Sequence, residues 1–272
     1  MSFESMVKRV RSLPALSESL MKIEELYTQG QPEAQDLVKI IESDPVLTAN
    51  ILAKVNAPFY GFSKNIVSIF QAVILFGPTT IRGFALSSFV DNTFKFNMEP
   101  YGINGKKFKE ISVFQSSFMF QWYMRVDMEV AKSLIPISFL LEVGKIIIAK
   151  EIIENSDTQK FSQSIKEGDI IAKVEEDFVG ISSSKVNTLL FDHWNFNDLF
   201  VDSMLYLDNP SFAPEKYKHL SEALDVVQTC INIKEVMSEK SLKNGRKKVK
   251  EYNLSLDIFD RTVQRWRQTL EY

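Results

Sequence analysis

Apolar residues recur along this chain every three to four positions, the spacing of helices with one buried face. Leu16, Leu20, Ile23 and Leu26 follow Pro14, with Ser17 placed to cap their helix. Gly30-Gln31-Pro32 interrupts that stripe, and Leu37, Ile40 and Ile41 mark a second helix that stops at Ser43-Asp44-Pro45. Asp44 is a capping carboxylate, and Pro45 suits a first helical position, where no amide donor is required. The third helix then carries Val46, Leu47, Ile51, Leu52 and Val55. Asn56-Ala-Pro-Phe-Tyr60-Gly61 is turn chemistry. Ile66, Ile69, Phe70, Val73 and Ile74 form a fourth stripe, which Gly77-Pro78 ends, and a fifth helix is expected over 79–94.

A loop at 97–105 separates this part from a second run of helices. Phe108, Ile111, Phe118 and Trp122 share one stripe. Further helices are expected over 136–153, 164–178, 182–194 and 197–206. Asn209-Pro-Ser-Phe-Ala-Pro214 is a break, with two or three helices beyond it. No stretch alternates like a strand, and no repeat of fixed period is present. The fold class is therefore all-α, a multi-helical globular bundle.

Composition adds limits. The chain has 272 residues, 45% hydrophobic and 25% charged, which is ordinary for a globular protein able to bury a sizeable core. Twenty-one phenylalanines make that core aromatic, and the scarcity of glycine (10) and proline (9) favours long helices. A formal charge of −3 weighs against a chain built mainly to hold nucleic acid, while leaving room for a local basic patch. Cys230 stands alone, so no internal disulfide and no zinc-type spacing exist, and a reducing cytoplasm fits best. The first ten residues lack an apolar signal core, and no run is long enough to span a bilayer, so no membrane insertion is expected.

Four stretches together resemble the HDOD family, the HD-related output domain of bacterial signalling proteins. They are Leu13-Pro-Ala-Leu16, the segment Ile40–Asn56 with Asp44-Pro45 and its closing Asn56, Phe59-Tyr60-Gly61, and Ile69–Gly77. The match is specific over about 13–90 and looser over about 105–207. The resemblance implies an HDOD-like domain at 1–207, with an N-terminal helical half at about 10–96 and an HD-like half at about 105–207. Residues 208–272 would then be a C-terminal helical extension packed on it.

It also implies a fold related to the HD phosphohydrolases, whose histidines and aspartates hold metal ions that activate water and clamp phosphate oxygens. Carried over position by position, a helical histidine of those enzymes falls near Gln115. The paired His-Asp falls on Leu141 and Glu142, just before Gly144. A later histidine falls near Ser183, eleven residues before Trp194, and a His-His pair falls near Tyr206 and Leu207. Only Glu142 keeps a good ligand. The residues say the same without the family. The chain has two histidines, His193 and His219, twenty-six residues apart, and these cannot build a histidine-rich site. No metal and no cofactor are expected.

Each candidate also has a plainer reading. Gln115 sits beside an apolar stripe, as a satisfied buried amide does. Glu142 has Lys145 at i+3 as a structural ion partner, and Gly144 allows close helix packing. Asp44, Pro45, Asn56, Tyr60, Gly61 and Gly77 read as caps and turns that mark the family. His193, beside Trp194, sits at a helix end, and His219 lies in a lysine-rich, exposed segment. The run Lys240–Lys250, with Lys243, Arg246, Lys247, Lys248 and Lys250, reads as a solvated loop between helices, or as a contact patch for RNA, DNA or an acidic partner. It lacks interleaved aromatics for base stacking.

The leading expectation is a cytoplasmic, non-enzymatic signal-transduction protein that recognises an unidentified signalling protein. Its surfaces would be the groove between the two HDOD halves and the C-terminal helices. HDOD proteins are often linked to receiver or cyclic-dinucleotide domains. No span remains here for one, so the signal is expected from a separate molecule. Three alternatives stay open. They are a residual HD-type phosphohydrolase or phosphodiesterase, a nucleic-acid regulator working through the basic segment, and a nucleotide sensor using the degenerate pocket of Gln115, Leu141, Glu142, Ser183 and Tyr206. The oligomeric state and the partner's identity are not encoded legibly.

Overall fold

Nearly every amphipathic stretch closes into a helix, and the computed structural model describes residues 3–30, 32–57, 60, 65–168 and 170–270. The helices group into two compact units, Pro14–Lys95 and Phe96–Tyr272 joined by Met1–Leu13. Among the described residues no strand forms, and Ile231 and Val236 make an isolated antiparallel bridge. No single helix among them is long and apolar enough to cross a membrane.

The first helix, α1 (Phe3–Arg11), belongs to the larger unit. The smaller unit holds α2 (Glu18–Thr28), α3 (Ala34–Glu42), α4 (Pro45–Val55), α5 (Ile69–Phe76) and α6 (Pro78–Thr93). Its caps are local and follow from the sequence. Ser17 Oγ accepts the Leu20 amide, and Asp44 accepts the Val46 and Leu47 amides at 3.1 and 2.9 Å. Asn56 ties the end of α4 to the chain entering α5. Its side chain donates to the Leu52 and Ile66 carbonyls and accepts the Ile66 amide at 2.8 Å. Gly77 turns α5 into α6 with φ of +78°, a left-handed value that glycine adopts without a Cβ clash. Ile23, Ile41, Ile51, Val55 and Phe84 fill the core, and Tyr60 meets Phe76 and Phe84 edge-on. Arg82 and Glu24 form a buried bidentate pair. Gly61 lies outside the described residues.

The larger unit continues with α7 (Gly105–Val126), α8 (Met128–Phe139), α9 (Gly144–Glu154), α10 (Thr158–Glu167), α11 (Ile171–Val179), α12 (Ser183–His193) and α13 (Asp198–Leu205). It closes with α14 (Glu215–Cys230), α15 (Glu239–Glu251) and α16 (Leu256–Leu270). α7 packs on α8 and α16, α12 on α1, α9 and α13, and α14 on α13 and α15. Between α7 and α16, Phe118, Trp122 and Phe259 stack edge to face, and Trp266 meets Phe114.

The helix expected over 136–153 is two helices. α8 carries Pro136 inside it, and the chain turns over 140–143 before α9 starts at Gly144. The break holds because Asn187 of α12 accepts the Gly144 amide at 2.6 Å and donates to the Leu141 carbonyl at 2.8 Å, replacing helical hydrogen bonds. The helix expected over 164–178 also divides, because Gly168 is extended at the end of α10. The basic run is not a solvated loop. Leu242, Gly245 and Val249 bury one stripe of it, so it closes into α15 with its lysines on the other face. At Gly245 a Cβ would stand 2.2 Å from Cys230 Sγ of α14, which is why glycine occupies that stripe.

Candidate functional site: a buried ionic network around Lys145

Glu142, on the turn before α9, is fully buried and takes donors from three directions. Gln115 Nε2 of α7 donates to its Oε1 at 2.9 Å, and Gln228 Nε2 of α14 donates to the same oxygen at 3.1 Å. Lys145 Nζ, one helical turn along, lies 2.7 Å from Oε2. That ammonium also donates to Ser183 Oγ at 2.7 Å and stands 3.5 Å from Glu175 Oε1 of α11. Glu175 in turn accepts the Tyr101 hydroxyl at 2.8 Å and the Ser183 amide at 2.6 Å. Lys145 is 3% exposed, and Glu142 and Glu175 are 0% exposed, so solvent screens this ionic network only weakly.

The energetics follow from that burial. Desolvation alone would lower the Lys145 pKa, but Glu142 and Glu175 outweigh it and hold the lysine above its ordinary value. Burial pushes Glu175 above the usual carboxylate range, opposed by Lys145, the Ser183 amide and Tyr101. Gln115 Nε2 makes a second bond, to the Ile231 carbonyl at 2.8 Å, which fixes the amide's orientation and leaves its Oε1 buried without a partner. Gly144 sits against α12 so closely that a Cβ would lie 2.2 Å from the Ser183 carbonyl oxygen.

A cleft of about 650 Å³ opens above this network. Glu142, Lys145, Ser183 and Leu207 line its buried side, and Asp208, Lys240, Lys247 and Lys248 its outer side. Of the five residues of the degenerate pocket, Glu142 and Ser183 meet there. Gln115 lies behind Glu142, Leu141 is wholly buried and bonds Asn187 through its carbonyl, and Tyr206 is the half-buried residue ending α13. Trp194 ends α12 and is buried. Spacing pairs Lys145 with Glu142, whereas its contacts with Glu175 and Ser183 come from α11 and α12, which spacing along the chain does not pair with it. Glu175 was missed, although an acid between Ile171 and Val179 on an otherwise apolar stripe signals it.

The two histidines lie elsewhere. His193 Nε2 is 2.9 Å from the Leu13 carbonyl oxygen. His219 is half-buried rather than exposed, 3.1 Å from the Tyr123 hydroxyl, because α14 packs its face onto α7. Within the basic run, Arg246 pairs with Asp260 at 2.7 Å, Lys247 with Glu251 at 3.4 Å and Lys248 with Asp225 at 2.6 Å. Lys243 and Lys250 are exposed.

An HD-type metal site requires several imidazole or carboxylate ligands converging. Here Glu142, the one ligand kept, is occupied by two amides and an ammonium, and no group of three His, Cys, Asp or Glu side chains converges among the described residues. The residues present do not fit the metal.

Fold and site together define an HD-like helical domain in which no cluster of three His, Cys, Asp or Glu side chains converges among the described residues. The chain belongs to the HDOD family, whose domain model matches residues 13–210. Its fold is shared with a virulence factor from Campylobacter jejuni, at 25% identity over 99% of this chain and 97% of that one, with a TM-score of 0.61. A protein from Shewanella amazonensis assigned as a phosphohydrolase is 16% identical, covers 98% and 96%, and has a TM-score of 0.73. One from Marinobacter aquaeolei assigned to signal transduction is 16% identical, covers 98% and 63%, and has a TM-score of 0.71. No curated protein matches the chain.

Proposed function

We propose that this chain is a non-enzymatic signalling module that acts by binding another protein. The observation that carries the reading is the Lys145 ammonium held between Glu142, Ser183 and Glu175. A tethered cation there satisfies the remaining carboxylates and keeps the HD-like unit folded without a metal. It supplies no open coordination position at which water is activated. A regulatory role agrees with HDOD membership.

The test is metal content by mass spectrometry on untagged protein purified without chelator, together with hydrolysis of bis-p-nitrophenyl phosphate in manganese. The expected result is far less than one metal per chain and no turnover above buffer. One equivalent of metal with turnover would overturn the reading.

A second reading, a nucleotide sensor, is favoured by one observation. The cleft of about 650 Å³ has the size of a small-molecule site and brings the ionic network to its wall. Thermal shift against a panel of nucleotides tests it, and the absence of any shift at millimolar ligand would remove it.

A further inference from the structure

The C-terminal pair α15 and α16 encloses a second groove, of about 460 Å³. Its floor is apolar and already well packed, formed by Leu242, Phe259 and Val263. Its walls carry Lys243, Arg246, Lys247, Lys250 and Arg267, against the single lining acid Glu239. Asp260 and Glu251 answer Arg246 and Lys247. Lys243, Lys250 and Arg267 are exposed and have no acidic partner among the described residues. The chain as a whole carries a charge of −3, so this excess of cations is local.

We propose that this groove docks an acidic segment of a partner protein. The inference rests on the interaction-module reading and gives it a surface and a partner chemistry. Charge complementarity selects the occupant. Exposed cations at 243, 250 and 267 without acidic partners among the described residues suit a peptide whose carboxylates meet them. Nucleic acid suits it less. Phe259 is 0% exposed and no other aromatic lines the groove, so no ring face is offered for base stacking. The groove lies beyond residue 210, outside the stretch matched by the family model.

The test is selection of short random peptides displayed on phage against the full chain, followed by fluorescence anisotropy with the enriched peptides. Enriched sequences should be acidic. The double variant K243E/R267E, altered at exposed positions, should keep its melting temperature and weaken binding by about ten-fold or more. E239Q should strengthen it. Failure to enrich acidic sequences, or undiminished binding to K243E/R267E, would overturn the groove assignment. So would a single-stranded oligonucleotide that outcompetes the peptides and loses affinity in the same variant. Peptides that bind equally well to the variant would remove this surface and leave the module reading standing. Bound metal with phosphodiester turnover would strike that reading instead.

Discussion

At the scale of single residues, Lys145 makes the sharpest prediction. K145M removes the ammonium and strands Glu142 and Glu175 in a dry interior, and breaking a buried pair in this way costs about 3–5 kcal/mol. Urea denaturation at neutral pH measures it. A loss under about 1 kcal/mol would mean that the network is wetter than its burial indicates. His219 gives a second prediction. Burial holds its pKa below the ordinary 6.5. As the pH falls below that value, the unfolded chain takes up the proton before the folded one does. Stability from this residue is therefore present above about pH 6.5 and lost on acidification through the lower folded value. H219Q should flatten the decline in melting temperature between neutral and mildly acidic pH, and an unchanged slope would remove His219 as its source. Asp44, Asn56 and Gly77 were readable in advance because a cap or a turn bonds within a few residues. Lys145 was readable only as a neighbour of Glu142, because its other partners lie 30 and 38 positions away.

At the scale of elements, two close approaches set where helices start and stop. Asn187 satisfies the amide of Gly144 and the carbonyl of Leu141, so N187L should leave both buried backbone groups unpaired and cost at least about 2 kcal/mol. Chemical denaturation checks this, and native stability in N187L would mean that water replaces the amide. Gly245 lets α15 lie on Cys230 of α14. G245A should lower stability by roughly 1–3 kcal/mol through overpacking. C230A in the same chain should recover part of that loss, whereas a purely local helical effect would be indifferent to Cys230. These contacts explain two departures from the hydrophobic pattern. Periodicity ran unbroken through 136–153 because the interruption is imposed by α12. The lysine run read as a loop because its three inward positions are sparse among charges, although they fall on one helical stripe.

At the scale of the molecule, the larger unit engages its buried Glu142 carboxylate by side-chain pairing, and the consequence is thermodynamic. A metal that binds only the folded state raises its melting temperature by mass action. With Glu142 engaged by Gln115, Gln228 and Lys145, manganese should leave the melting temperature unchanged, and a rise that saturates with concentration would show a ligand set not visible in this geometry. The sequence by itself determined the helical class, most helix positions, the Ser17 and Asp44 caps and the family. All of these depend on residue type and on spacings within one or two helical turns. Only the tertiary structure decided that Glu175, Tyr101, Asn187 and Gln228 surround Glu142 and Lys145, and that Arg267 of α16 joins the cations of α15 around one groove. Those pairings join residues on different helices, and periodicity tells which face of a helix is buried without telling which helix it meets.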